Sequence, residues 1–454
     1  MQEALHPGDR AMKCDLQIAL CDALILAGNP RRMIDKEAPE AWSQAEAMGD
    51  RKRALRICIS VYWALVLYGQ APAFGTPEAI TWVERADPLA EPETTERALI
   101  DMVLGTVNIL KGNPEGFVQH HYALMLARKL GEKNTFWMTA FTWLTWAQAP
   151  QHAQERLNLA EELMAQSREG VDLKNLLYGL LLSYDAFLAM GQRRRAEEAF
   201  RELKDLAGRS RQAHFKLTVL TLEAINAYVD GCLEEAAAIN DHVSAFGQEL
   251  DLARFATVNM YVMETRPLLY LGKAENAFEK ILPPFMRIFY SAHLGKADEA
   301  SESLNDMVRR RSHVNLREDE SLAWIDTLLL EAAILVRHRE AAEFLLRRFA
   351  GSPIRTTGIW LSTIIARHLG AAAAMLGRMD EAKAHYLDAI QVATDMRFRP
   401  ELALTRFQLA ELLLDHYPEE REQALEHLDF AIKEFEAMKM QPSLERAQAL
   451  RESR

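Results

Sequence analysis

Leu369-Gly370-Ala371-Ala372-Ala373-Ala374-Met375-Leu376-Gly377-Arg378-Met379-Asp380-Glu381-Ala382-Lys383-Ala384-His385-Tyr386-Leu387-Asp388-Ala389 carries the pattern that decides the fold. An apolar helix end runs into Gly377, a polar turn follows, and the small residue Ala382 stands five positions after the glycine. Glycine tolerates φ > 0 at a helix C-terminus, the polar residues start a second helix, and the small residue lets the two helices approach closely. The same punctuation recurs at Gly191 with Ala196, Gly231 with Ala236, Gly272 with Ala277 and Gly295 with Ala300.

The spacing of these marks sets the class. Gly191 to Gly231 is 40 residues, Gly231 to Gly272 is 41, and Gly295 to Gly377 is 82, two units of 41. The absent middle mark falls at Arg337-His338-Arg339-Glu340-Ala341-Ala342, a polar turn without glycine. Gly112 lies 79 residues before Gly191, with Ala149-Pro150-Gln151 as the turn between, and Tyr417-Pro418-Glu419-Glu420 lies about one unit past Gly377. Ala403, Phe407, Ala410 and Leu414 form one apolar helical stripe, and Ala382, Tyr386, Ala389 and Ala393 form another. No segment alternates with period two for long enough to be a strand. The expectation is an all-α, right-handed superhelical solenoid of roughly 40-residue helix-turn-helix units, running as one array over residues 1–454.

Two places break the rhythm. Gly272 to Gly295 is only 23 residues and contains Pro283-Pro284, which predicts a bend or a truncated repeat near 272–295. The connection Gly351-Ser352-Pro353-Ile354-Arg355-Thr356-Thr357-Gly358 is long for this class and reads as a surface loop, with a binding loop as the alternative. Thr76-Pro77-Glu78 and Thr94-Thr95-Glu96 read as helix N-termini.

Composition bounds the rest. At 454 residues the chain exceeds the roughly 250–300 that one compact core serves. Its 53 Lys+Arg against 65 Asp+Glu give a net charge of −12, which argues against nucleic acid as a partner. The triplets Arg193-Arg194-Arg195 and Arg309-Arg310-Arg311 sit among acidic neighbours and read as solvated helix faces and turns, with an anion site as the alternative. Cys14, Cys21, Cys58 and Cys232 form no C-x-x-C pair, and the seven-residue spacing of the first two puts them on one face as small core residues. The longest apolar run, Ile57 to Tyr68, is short of the roughly 20 residues of a membrane span. With no signal-peptide pattern, the chain is expected to be cytoplasmic and free of the membrane.

The interval Leu369-Gly370, Gly377, Ala382, Tyr386, Ala389 resembles the tetratricopeptide repeat, in which small residues and an aromatic interlock two antiparallel helices. Leu104-Gly105 with Gly112 repeats its first half, with Phe117 at the position of the small residue. Trp82-Val83-Glu84-Arg85-Ala86-Asp87-Pro88, Ala366-Arg367-His368-Leu369-Gly370, Phe398-Arg399-Pro400-Glu401-Leu402-Ala403-Leu404 and His427-Leu428-Asp429-Phe430-Ala431 are similar to the C-terminal helical region of bacterial cyclase-ATPase fusions and STAND-type transcriptional regulators. That resemblance implies a superhelix that senses a small molecule or protein and restrains an ATPase module. The sequence departs from the whole pattern, for it has no G-x-x-x-x-G-K-[ST] and no recognisable cyclase or DNA-binding segment.

Chemistry-bearing motifs are missing too. No H-E-x-x-H, G-x-S-x-G or G-x-G-x-x-G occurs. His120 and His121 are adjacent and point about 100° apart on a helix, so they do not chelate from one face. Glu234-Glu235 and Glu419-Glu420 open helices, where they complement the macrodipole. Trp137, Trp143 and Trp146 lie within ten residues; packing between units accounts for them, and an aromatic recognition patch is the alternative. No catalytic residue, metal or cofactor is expected. In the tetratricopeptide register the first helix of each unit lines a groove, which places Tyr178, Asp185, Tyr228, Asn259, Arg266, Asp326 and Arg367 inward. The expected function is a non-catalytic sensor or scaffold that binds a protein, peptide or small effector in that groove, in signalling or transcription regulation. The alternative is a detached regulatory region of a nucleotide cyclase-ATPase or LuxR-type activator.

Overall fold

The computed structural model describes residues 9–27, 29–69, 76–210, 213–249, 265–273, 284–311 and 318–454. Among them the regular elements are all helical, and an isolated antiparallel bridge joins Thr356 to Ile364. In order along the chain come α1 (Arg10–Leu26), α2 (Ala38–Ala47), α3 (Arg51–Gly69), α4 (Pro77–Ala86), α5 (Thr95–Leu110), α6 (Glu115–Leu130) and α7 (Lys133–Trp146). Then follow α8 (Ala153–Ala165), α9 (Leu173–Ala189), α10 (Arg193–Arg209), α11 (Ala213–Val229), α12 (Leu233–Glu249), α13 (Pro284–His293) and α14 (Ala297–Arg311). The last are α15 (Ala323–Leu335), α16 (Arg339–Phe349), α17 (Ile365–Leu376), α18 (Met379–Asp395), α19 (Arg399–His416), α20 (Arg421–Ala437) and α21 (Gln441–Glu452). Ala277, Pro283 and Asn259 lie outside the described residues, and a helix begins at Pro284 itself.

The hairpin turns that carry the glycine mark close the same way. Gly112, Gly191, Gly231, Gly272, Gly295 and Gly377 have φ between 72° and 87°. The glycine N–H reaches the carbonyl three residues back and the next N–H reaches five residues back, as in Gly377 to Ala374 and Arg378 to Ala373. This Schellman arrangement satisfies carbonyls that a helix end would leave bare. The glycine-free turn obeys it as well: Arg337 takes φ 55°, and His338 N–H reaches Ala333 O at 2.8 Å. Thr76 and Thr94 cap α4 and α5 by accepting from Ala79 and Arg97 N–H.

Small residues set the helix spacing. A Cβ on Gly370 would stand 2.7 Å from the Tyr386 ring, so α17 and α18 interlock at that pair. In α5 and α6 the close approach runs through Gly105 and Gly116; a Cβ on Gly116 would meet Gly105 O at 2.5 Å. Phe117 stands at the expected small-residue position, and the residue before it does that job instead. The apolar stripes of α18 and α19 are buried along their length.

The chain forms two compact units, Met1–Trp146 with Ser167–Gly179, and Ala147–Gln166 with Leu180–Arg454. In the first, Cys14, Cys21 and Cys58 sit in an apolar core with Ile18, Val61 and Trp82, as small hydrophobes. In the second, a repeat returns against the one about five units further on. Arg397 pairs with Glu197 at a separation of 200 residues, and Lys439 with Glu234 at 205. Arg193 donates to Met396 O and Arg397 O at 2.9 and 3.2 Å, capping the carbonyl end of α18. The two arginine triplets are thus not solvated throughout: Arg193 is buried, and Arg311 is held by Asp319 and Asp326. The return of the coil brings Arg193 under residues 203 positions on, and Arg311 folds onto Asp319 and Asp326, 8 and 15 positions ahead; periodicity along one helix reveals neither.

Candidate functional site

The segment between α16 and α17 is not a surface loop. Thr356, Thr357, Ile359, Leu361, Ser362 and Thr363 are all buried inside the second unit. α9 ends at Ala189, and its last carbonyls need partners. Arg355 and Thr356 N–H both donate to Ala189 O at 2.8 and 3.0 Å, and Thr356 Oγ1 donates to Leu188 O at 2.8 Å. Gly358, at φ 62°, lies so close to Asp185 that a Cβ there would overlap its carboxylate. Ile359 N–H donates to Asp185 Oδ1 at 2.9 Å. Arg266 Nε donates to Leu361 O at 2.7 Å, Tyr228 OH to Ser362 O at 3.0 Å, and Ile364 N–H to Glu401 Oε2 at 3.0 Å. Trp360 stacks on Trp324 with ring centroids 5.3 Å apart. The segment turns back on itself, with Thr357 N–H donating to Thr363 O and Trp360 N–H to Thr357 O, each at 3.2 Å, so helix side chains hold the main chain of a hairpin-like turn.

The holders are locked in their own pairs. Arg156 and Asp185 meet at 2.8 Å, Arg266 and Glu331 at 2.8 Å, and Arg367 reaches Glu401 at 2.8 and 3.1 Å. Tyr270 OH donates to Glu401 Oε1 at 3.1 Å. Burial pushes Glu331 up, but the Arg266 guanidinium outweighs it and holds the carboxyl well below the usual range. Glu401 is likewise lowered, burial being overcome by Arg367. His368 is pushed down to about 3 by burial and by Arg367, so it stays neutral and accepts or donates as an imidazole to Thr363 Oγ1 at 2.9 Å. Unpaired buried charge is costly, so these pairs are what make an ionic interior tolerable.

The seven inward candidates separate into distinct groups. Asp185, Tyr228 and Arg266 touch the segment directly, and Arg367 does so through Thr363 and through Glu401. Asp326 stands apart, fully buried between Arg311 at 2.6 Å and Arg348 at 3.5 Å; burial outweighs these partners and raises its carboxyl. Tyr178 belongs to the first unit, where it packs on Phe141 with centroids 5.4 Å apart, and Phe141 lies 6.1 Å from Trp63. Lys174 Nζ sits 3.9 Å over the Trp63 ring in the first turn of α9, and burial pushes it down to about 8. Asn259 lies outside the described residues.

Other singled-out residues have packing roles. His120 is buried, its Nε2 3.0 Å from Thr106 Oγ1, and burial pushes it down to about 3. His121 instead packs on Trp143. Trp137 and Trp143 are buried in the first unit, while Trp146 is half-buried. Among the described residues no group of three or more His, Cys, Asp or Glu side chains is arranged to hold a metal ion. A cleft of about 220 Å³ opens beside Phe349, Ile354, Leu369, His385 and Asp388. No helix among the described residues is long and apolar enough to cross a membrane.

Sequence reasoning missed Arg156, Glu331 and Glu401, because it looked for groove residues and not for their counter-charges. The one available signal was the length of the connection from Phe349 to Ile365, which a simple turn does not need.

The chain is a helical-repeat solenoid. No protein-family profile matches it, and no curated protein matches it. Among solved structures it is similar to one described as the crystal structure of the APC/C hetero-tetramer Cut9-Hcn1, at 14% identity and a TM-score of 0.29, over 97% of this chain and 95% of that one. It is similar also to a circular tandem repeat protein with novel repeat topology, at 16% identity and a TM-score of 0.13, over 98% of each chain. Likeness of this degree is shared by helical repeats that serve unrelated ends.

Proposed function

We propose that the chain is a non-catalytic binding module, one array of tetratricopeptide-like repeats over residues 1–454, that takes a protein or peptide along its inner helices. The observation that carries this reading is the segment around Gly358. The interior of the second unit holds the main chain of a tight turn through Asp185, Tyr228, Arg266 and Glu401, the kind of side chain-to-backbone bonding by which a groove holds a peptide. The first unit adds an uncovered apolar stripe on α6, where Val118, Tyr122 and Met125 recur at i, i+4 and i+7 and are 68%, 52% and 46% exposed. Apolar side chains grouped in this way on a surface mark association. The buried ionisable groups of the second unit are engaged with one another, an arrangement that suits structure better than turnover.

A photo-crosslinking residue at Tyr178, half-buried in its aromatic cluster, tests the reading against the same residue at exposed Lys433. Crosslinks to a defined protein at Tyr178 and not at Lys433 support it. Equal labelling at both sites, or none, removes it. The similarity of Ala366–Gly370 and Phe398–Leu404 to signalling ATPases favours a second reading, the regulatory region of a cyclase-ATPase or LuxR-type activator. A neighbouring reading frame encoding a P-loop ATPase or cyclase would favour that role.

A further inference from the structure

We propose that the interior face of the second unit is a recognition surface for a peptide that folds into a tight hairpin turn and is supplied in trans, and that residues 354–364, closed by the Thr356–Ile364 bridge, are its resident occupant in cis. The inference rests on the binding-module reading and adds to it the class of partner: a turn-forming segment with paired hydroxyl residues, then a glycine, an aliphatic and an aromatic residue, as in Thr356-Thr357-Gly358-Ile359-Trp360.

Three observations define that class. First, the anchors read main chain. Asp185 takes the Ile359 N–H, Arg266 gives to Leu361 O, Tyr228 gives to Ser362 O, and Glu401 takes the Ile364 N–H. Those four groups are met by any segment of the right backbone shape. Second, two positions read side chains. The Asp185 carboxylate leaves no room for a Cβ at 358, and Trp324 offers a flat face on which Trp360 stacks at 16°. Trp360 is only half-buried and Arg355 is exposed, so the occupant has solvent-facing edges. Third, the resident segment bears strain. Leu361 is held at φ 43°, a left-handed conformation that L-residues disfavour, whereas a partner with glycine there escapes the strain. Its ends are fixed to α16 and α17, so a competitor arriving in trans meets an occupant at high effective concentration, and affinity is reduced by the fraction of chains with the surface open.

The G358A substitution gives a direct test, because the new methyl overlaps Asp185 and φ 62° disfavours any side chain. A labelled peptide of residues 354–364 is titrated into the unaltered full chain and into G358A, followed by fluorescence anisotropy, with circular dichroism reporting the helices. G358A is expected to bind the peptide saturably and at least about tenfold more tightly than the unaltered chain. The same peptide carrying its own Gly358→Ala change is expected not to bind. A helical G358A that binds no peptide overturns the proposal. So does light scattering that shows the unaltered chain as a dimer which the peptide leaves intact, since the occupant is then a second copy. If G358A does not fold, hydrogen exchange on the unaltered chain decides. Exchange at Ile359 and Ile364 through openings more frequent than those of Ala372 and Ala373 in α17 supports a displaceable segment, and equal rates overturn it. Failure here leaves the crosslinking test at Tyr178 untouched, because that test uses the other unit and no known peptide.

Discussion

Arg337 shows what the repeat demands of a single residue. The turn geometry requires a left-handed residue after α15, and where the other marks use glycine this one bends an arginine to φ 55°. Among the described residues, no hydrogen bond or ion pair of the Arg337 side chain offsets the strain. Arg337→Gly is therefore expected to raise unfolding stability by about 0.5–1 kcal/mol, measured as a higher urea midpoint; a lower midpoint would contradict the account. His120 makes the opposite kind of point. Burial holds its imidazole at about 3, below the ordinary 6.5, so the unfolded chain takes up a proton between those values and the folded one does not. The stability contributed by the neutral histidine is complete above pH 6.5 and is lost as the pH falls toward 3. Between pH 7 and 5 the chain is expected to lose about 2 kcal/mol through this group. His120→Gln, which retains a partner for Thr106, is expected to flatten that part of the pH profile, and an unchanged slope would refute the assignment.

At the scale of helix pairs, close approach is set by individual glycines. In α6 a Cβ at Gly116 meets backbone, Gly105 O at 2.5 Å and Ile109 N at 2.7 Å, and backbone cannot step aside as a side-chain tip can. Gly116→Ala is expected to destabilise by about 2–3 kcal/mol despite alanine's better helix propensity. Gly208, in the last turn of α10, has nothing within 4 Å of a new Cβ. Gly208→Ala is therefore expected to be neutral or stabilising by up to about 1 kcal/mol. Thermal unfolding of the two variants side by side separates packing from propensity, and a shift of the same sign in both would show that packing at Gly116 is not decisive.

The second unit as a whole depends on contacts between repeats about five apart, and Arg193 is the clearest of them. Its guanidinium serves Met396 O, Arg397 O, Glu197 and Asp230 at once. Arg193→Ala is expected to cost about 3 kcal/mol, since it bares two helix-end carbonyls and leaves two carboxylates short of a partner. Faster hydrogen exchange at the turn between α18 and α19 would register the loss. Protection unchanged there would mean the coil-to-coil contact contributes little.

Much of this architecture is written in local sequence. The 40–41-residue spacing of Gly191, Gly231 and Gly272 is enough for the helix pairs, because a left-handed turn residue and a small residue five positions later act over one or two turns of chain. Thr76 and Thr94 announce helix starts for the same local reason, and Gly370 with Tyr386 announces the interlock of α17 and α18. The position of Gly116 was missed by one residue, for the closest point of two helices depends on their crossing and not on either helix alone. What no local pattern contains is the return of the coil upon itself. That return buries Arg193 and draws residues 354–364 against Asp185 and Leu188, into an interior that periodicity alone leaves open, while the packing of nearer repeats sets Glu331 against Arg266 and Glu401 against Arg367. Sequence determines the repeat because its interactions span a few residues; the filling of the interior belongs to tertiary structure because its partners lie from about 35 to over 170 positions apart.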